Sequence, residues 1–165
     1  MNTKSFNLIE NIKNNLNKLD FLSYEIIYLY TDLRKFSYDI NLSFSRDAFF
    51  NKLVSIFLDK NITVVIPTYS YVNKGEFHIN KSPTNLGAIN KWILKNKKSF
   101  RSSHPIFSES SIGPLSEKIT SSVPKRAFGN NCIFSRLEKY KSAFLYLGRP
   151  VYSGNTIVHY IEQNN

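Results

Sequence analysis

The heptapeptide ITVVIPT (residues 62–68) carries no charge, and its apolar residues fall on both parities of the chain. A short, β-branched run of this kind, stopped by Pro67, reads as a strand buried on both faces. EIIYLY (25–30) is a second run of the same type, ending at TDLRKF, and AFLYLG (143–148) is a third. Between and around these runs the period changes. Leu8, Ile9, Ile12, Leu16 and Leu19 recur at helical spacing, which predicts an amphipathic helix over 5–19 with a Lys/Asn-rich outer face. Ser45 can cap a second helix, with Asp47 in its first turn and Phe49, Phe50, Leu53, Ile56 and Phe57 turned inward. Leu86, Ile89, Ile93 and Leu94 mark a third. Weaker helices are predicted near 114–122 and 131–139, and a short one in NTIVHYIE, capped by Asn155 or Thr156. A loop containing NKGEF joins Tyr69 to Pro83, and the serine-rich RSSHPIFSESSIG (101–113), with no helical or strand period, reads as another. Apolar strands alternating with helices indicate an α/β sandwich. Ligands of such folds sit at strand ends, which directs attention to TDLRKF, PTYSY and GRPVYSGNT.

The 165 residues suit one domain with a real core. Aromatics reach 15%, with 13 Phe and 10 Tyr, which excludes a disordered chain. Lys and Arg number 22 against 12 Asp and Glu, a formal charge of +10 that favours anionic partners and disfavours a polycationic substrate. A single cysteine, Cys132, excludes a disulfide scaffold, and no His/Cys group has zinc spacing, so no metal is expected. The apolar runs are too short to span a bilayer, and the N-terminus has no signal-peptide core. A soluble cytoplasmic protein is expected. The lysines of KWILKNKKSF and VPKRAF show no aromatic interleaving, so nucleic-acid binding would rest on charge alone and is not expected.

Thr156, His159 and Glu162 are spaced i, i+3, i+6, along one inclined face of a short helix. Glu162 could orient the imidazole, and an oriented imidazole can take a proton as a general base. A surface histidine with an incidental carboxylate has the same spacing. In RSSHPIFSESSIG, Arg101, His104 and Ser108 either bind a phosphorylated ligand or belong to a solvated connector whose proline fixes a turn. TDLRKF could offer backbone N–H groups to an anion, although no glycine-rich phosphate loop is present. His78 reads as exposed and Cys132 as a small apolar residue.

In combination these segments resemble the aminoglycoside 3-N-acetyltransferase family. RSSHPIFSESSIG resembles its Arg-Ser-x-His-Pro…Ser…Gly signature, and SPTNLGAI the Ser-Pro…Met/Leu-Gly stretch before it. AFGNNCIFSRL is similar to Phe-Gly…Ser-Pro-Leu-Ala-Arg-Leu, and FLYLG…NTIVHYIE to Leu-Leu-Leu-Gly…Asn-Thr-Ser-x-His-x-x-Glu. YLYTDLRKF is similar to the first strand with its Ser-Ser-Leu-Arg turn, and TVVIPTYSY to the second with Pro-Thr-Phe-Ser-Tyr. The resemblance implies a three-layer α/β/α sandwich around a central mixed sheet. It also implies acetyl transfer from acetyl-CoA, without a metal, to an amino group of an amino sugar. His159 would be the general base and Glu162 its partner. Thr31, Asp32, Leu33, Arg101, Ser102, His104 and Ser108 would line the CoA arm, and Tyr69 and Thr156 would meet the acceptor.

Three features depart from the family pattern. The family's acidic residue before Asn-Thr is absent from YSGNT, which with the +10 charge favours a nucleotide-linked amino sugar over an aminoglycoside antibiotic. Cys132 replaces a serine. Family chains also continue beyond His-x-x-Glu, whereas this sequence has three residues after Glu162. The expectation is therefore one acetyltransferase-like domain over 1–165, lacking the usual C-terminal part, with a homo-oligomer or a C-terminal partner chain as possible complements. A catalytically inactive relative that binds CoA or serves in an assembly is the alternative.

Overall fold

The computed structural model describes residues 3–36, 45–71 and 76–164. Asn73, Lys74 and Gly75 of the NKGEF loop lie outside these residues. ITVVIPT supplies β2 (Thr63–Pro67), every residue of which is buried. EIIYLY supplies β1 (Ile26–Thr31), parallel to β2 with Ile27 opposite Val64. On its other side β1 pairs in parallel with β5 (Ser142–Leu147), Tyr28 opposite Phe144. Among the described residues the sheet has five strands in the order β3-β4-β2-β1-β5, and it is mixed.

Burial on both faces explains why these runs lack an alternating pattern. Odd residues of β1 and even residues of β2 (Ile27, Leu29, Val64, Ile66) face one apolar cluster. It is completed by Ile12 and Leu16 of α1 (Thr3–Lys18), Phe49, Leu53 and Phe57 of α2 (Arg46–Leu58), and Ile89 and Ile93 of α3 (Ala88–Lys95). The opposite parity (Ile26, Tyr28, Tyr30, Val65) faces a second cluster. Its other members include Ile119 of α4 (Ser116–Thr120), Ile133, Phe134 and Leu137 of α5 (Ile133–Leu137), and Tyr160 of α6 (Ile157–Asn164). Helices on both faces make the three-layer sandwich. Phe57 is fully buried in the first cluster, and its truncation to Ala would cost about 3–5 kcal/mol. Ser45 caps α2 as expected, its Oγ accepting from the Ala48 N–H.

One expectation is corrected. RSSHPIFSESSIG is not a loop throughout: β3 (Phe100–Arg101) enters it, and β4 (Glu109–Ile112) lies inside the sheet, antiparallel to both β2 and β3. Glu109, Ser110 and Ser111 are fully buried without being apolar, so no hydrophobic period marks the strand. Their burial is compensated by hydrogen bonds: Ser111 Oγ donates to Ser116 O (3.0 Å), and Ser110 Oγ pairs with Thr68 Oγ1 (3.0 Å). Pro67 ends β2 opposite Glu109, and its carbonyl accepts from Asn90 Nδ2 (2.7 Å), fixing the start of α3 to the strand end. The weaker helices are shorter than predicted, and the third begins at Ala88 rather than at Leu86.

Candidate active site

β1, β2 and β5 run in parallel, and their C-terminal ends open onto a cleft of about 520 Å³. Tyr30 and Thr31 come from β1, Pro67, Tyr69 and Tyr71 from the exit of β2, and Arg149, Gly154, Asn155, Thr156 and His159 from the segment after β5. Gly148 makes the turn out of β5 possible. It has φ +74°, and a Cβ there would lie 2.3 Å from the carbonyl oxygen of Asp32. The Asp32 N–H in turn donates to Leu147 O (2.9 Å), so the turn after β1 and the exit of β5 are locked together.

His159 lies on the cleft wall, packed against the Phe128 ring at 5.8 Å between centroids. Its Nδ1 is 3.4 Å from Glu162 Oε2, one helical turn on, and both side chains are more than 60% exposed. Glu162 occupies the Nδ1 side of the ring, so Nε2 is the nitrogen with a lone pair for a ligand. Thr156 sits one turn earlier and accepts a hydrogen bond from the Tyr69 hydroxyl (3.0 Å). Tyr69 also meets the Tyr28 hydroxyl (3.3 Å) in the buried layer beneath. Burial raises both phenols well above their ordinary value. They are neutral hydrogen-bonding groups at any working pH.

The Arg101 loop stands behind this cleft. Arg101 Nε and a terminal nitrogen donate to Ser108 Oγ (3.2 and 3.1 Å), and the other contacts of the fork are Thr68 O, Ser70 Oγ, Ile79 O and Ser82 O. The guanidinium also stacks on Phe77, 4.8 Å from the ring centroid. All five N–H donors are therefore committed inside the protein. His104 is equally engaged: Nδ1 accepts from the Ile106 and Phe107 N–H groups (3.2 and 2.9 Å), and burial holds the imidazole below its ordinary value. Ser102 and Ser108 are fully buried. Ser102 Oγ accepts from the Glu109 N–H (2.9 Å) and stands 3.4 Å from its carboxylate oxygen. Asp32 is half-exposed and holds Arg34 through two oxygens, an interaction that lowers its carboxyl to about 2.

The structure thus gathers Thr31, Tyr69, Thr156 and His159 on one cleft and Arg101, Ser102, His104 and Ser108 into the scaffold behind it. GRPVYSGNT, expected at a strand end, contributes Arg149, Gly154, Asn155 and Thr156 to the lining, whereas Tyr30 was not singled out from the sequence. A larger hollow of about 620 Å³ on the outer side of α3 is lined by Lys81, Lys91, Lys95, Lys97 and Arg101 and shares no residue with the cleft. Among the described residues no three or more His, Cys, Asp or Glu are grouped to hold a metal, and no helix is long and apolar enough to cross a membrane.

The family profile described as aminoglycoside 3-N-acetyltransferase matches residues 51–165. The chain belongs to the aminoglycoside 3-N-acetyltransferase family. Solved structures of similar fold include the apoenzyme of aminoglycoside acetyltransferase AAC(3)-IVa, 20% identical over 94% of this chain and 59% of that one, with a TM-score of 0.77. AAC-IIIb in its binary complex with CoASH is 16% identical over 94% of this chain and 64% of that one, TM-score 0.74. The YokD protein from Bacillus subtilis is 17% identical over 84% and 63%, TM-score 0.67. The chain therefore spans about three-fifths of the length of these structures. No curated protein matches it. Within this aminoglycoside 3-N-acetyltransferase relative, Cys132 takes a capping position: its Sγ accepts from the Ser135 N–H at the start of α5 (3.5 Å). A sulfur can make that contact, so a cysteine can serve at this cap. His78 is exposed, with Glu76 Oε2 4.0 Å away.

Proposed function

We propose that this protein is an acetyl-CoA-dependent N-acetyltransferase that acts on an amino group of an amino sugar. The observation that carries the reading is His159, on the wall of the strand-end cleft with Glu162 at its Nδ1, in a chain of the aminoglycoside 3-N-acetyltransferase family.

An amine is protonated at neutral pH and becomes a nucleophile only when that proton leaves. His159 Nε2 accepts it. Glu162 keeps the ring oriented and stabilises the imidazolium so formed. Acetyl-CoA, when bound, would supply the acetyl group as a thioester, its C–S bond breaking as the amide C–N bond forms and the proton held on His159 passing to the departing CoA sulfur. The apolar and aromatic walls (Tyr71, Leu86 and Phe107) suit its slender, uncharged pantetheine arm. Thr31, Asp32 and Leu33 border the arm. Arg101, Ser102, His104 and Ser108 act at one remove, by holding the cleft wall. Tyr69 and Thr156 meet the acceptor.

The reading is tested by following free thiol from acetyl-CoA across a panel of amino sugars. Release with at least one acceptor supports it. A second reading, favoured by the chain spanning about three-fifths of the solved relatives, is a protein that binds CoA without turnover or completes an assembly. Calorimetric binding of acetyl-CoA with no thiol release across the panel would establish that instead.

A further inference from the structure

Arg149 occupies an unusual position for a cation. It follows the Gly148 turn at the end of β5, and its guanidinium lies over the Tyr30 ring, 5.4 Å from the centroid. One terminal nitrogen donates to Gly154 O (3.3 Å), which fixes the side chain against the cleft rim. Its Nε is buried and has no hydrogen-bond partner in the protein. Arg149, Tyr30 and Asn155 all line the cleft that holds His159. A buried donor without an acceptor is unfavourable, so the Arg149 Nε–H marks where a polar ligand belongs.

The charge of the hollow sets what that ligand is. No Asp or Glu is among the described residues that line it. The carboxylate whose field Arg149 reaches, Asp32, is already bound by Arg34 through two oxygens. A polycationic acceptor would meet the Arg149 cation there. We infer that Arg149 is the specificity-determining residue of this cleft and that the acceptor carries a phosphate or carboxylate in addition to its amine, the anion seated on the Arg149 guanidinium and the amine at His159. This rests on the acetyltransferase reading for the role of the amine but not for the anion.

The experiment is a binding measurement without acetyl-CoA, so that it succeeds or fails independently of turnover. Glucosamine 6-phosphate, glucosamine and the aminoglycoside sisomicin are titrated by calorimetry into the wild-type protein, Arg149→Gln and Arg149→Lys. The expected result is at least ~10-fold tighter binding of the phosphorylated sugar than of glucosamine, lost in Arg149→Gln and partly kept in Arg149→Lys, because a bidentate guanidinium is only imperfectly replaced by an ammonium. Acetyl-CoA affinity, measured on the same proteins, is expected to be unchanged. In the wild-type protein the Arg149 Nε–H resonance should shift with glucosamine 6-phosphate and not with glucosamine, a readout that does not depend on any variant folding. Equal binding of the two sugars, tighter binding of sisomicin, or a loss confined to acetyl-CoA in Arg149→Gln would overturn the inference.

Discussion

Tyr69 donates its phenolic hydrogen to Thr156 Oγ1 over 3.0 Å and so ties the exit of β2 to the turn that opens α6. The two residues are far apart in sequence, and their contact carries the position of His159, one helical turn beyond Thr156. Tyr69→Phe and Thr156→Val should each lower unfolding stability by about 1 kcal/mol, and the double variant should lose less than the sum, with a coupling of about 0.5–1.5 kcal/mol. Urea unfolding of the four proteins measures this. Additive losses would mean the hydroxyls are not coupled.

Arg101 should not tolerate lysine. Its fork contacts Ser108, Ser70, Thr68, Ile79 and Ser82 at once, and an ammonium cannot reach them together. Arg101→Lys is expected to cost about 2–4 kcal/mol, because buried carbonyls lose their donors. A denaturant midpoint close to wild type would show that the loop does not depend on the guanidinium.

Glu109 gives a pH signature. Burial in β4 holds its carboxyl well above the ordinary 4.5, while Ser102 pulls weakly the other way. The native state therefore keeps a proton that the unfolded chain releases. The associated stability is complete below pH 4.5 and is lost as pH rises toward the native value, at up to about 1.4 kcal/mol per pH unit. Glu109→Gln retains the shape without the titration. It is expected to be more stable than wild type at pH 8, with the difference vanishing as pH approaches 4. A wild-type slope in the variant would assign the effect elsewhere.

His104 works in the opposite sense. Desolvation depresses its pKa below 6.5, opposed by a backbone hydrogen bond at Lys125, so the unfolded chain takes up the proton first. Its contribution is full above pH 6.5 and is lost as pH falls through the depressed native value. In His104→Asn, the amide oxygen can still accept from the Phe107 N–H, but nothing titrates. Thermal midpoints between pH 7 and 5 should fall less steeply in that variant than in wild type.

The sheet was legible where burial is apolar on both faces. Val64, Val65 and Ile66 could only be central, and Ile26 through Tyr30 likewise. β4 was not legible, because Glu109, Ser110 and Ser111 are buried through hydrogen bonds, which leave no hydrophobic signal. His159 and Glu162 could be read from spacing, since helix geometry alone brings i and i+3 together. The commitment of Arg101 could not, for its acceptors are mostly backbone carbonyls from two other segments, 68–70 and 79–82. Nor could the placement of Arg149 be read, which depends on the Tyr30 ring arriving from β1 beneath its guanidinium.

The role given to His159 comes down to one rate: CoA release with glucosamine 6-phosphate and saturating acetyl-CoA, in wild type and His159→Ala. Loss of a positioned general base is expected to slow release by about 10²–10⁴-fold. Acetyl-CoA affinity and thermal midpoint should stay where they were, because the imidazole is largely exposed and its partner Glu162 is too. A variant that releases CoA at the wild-type rate would contradict the assignment.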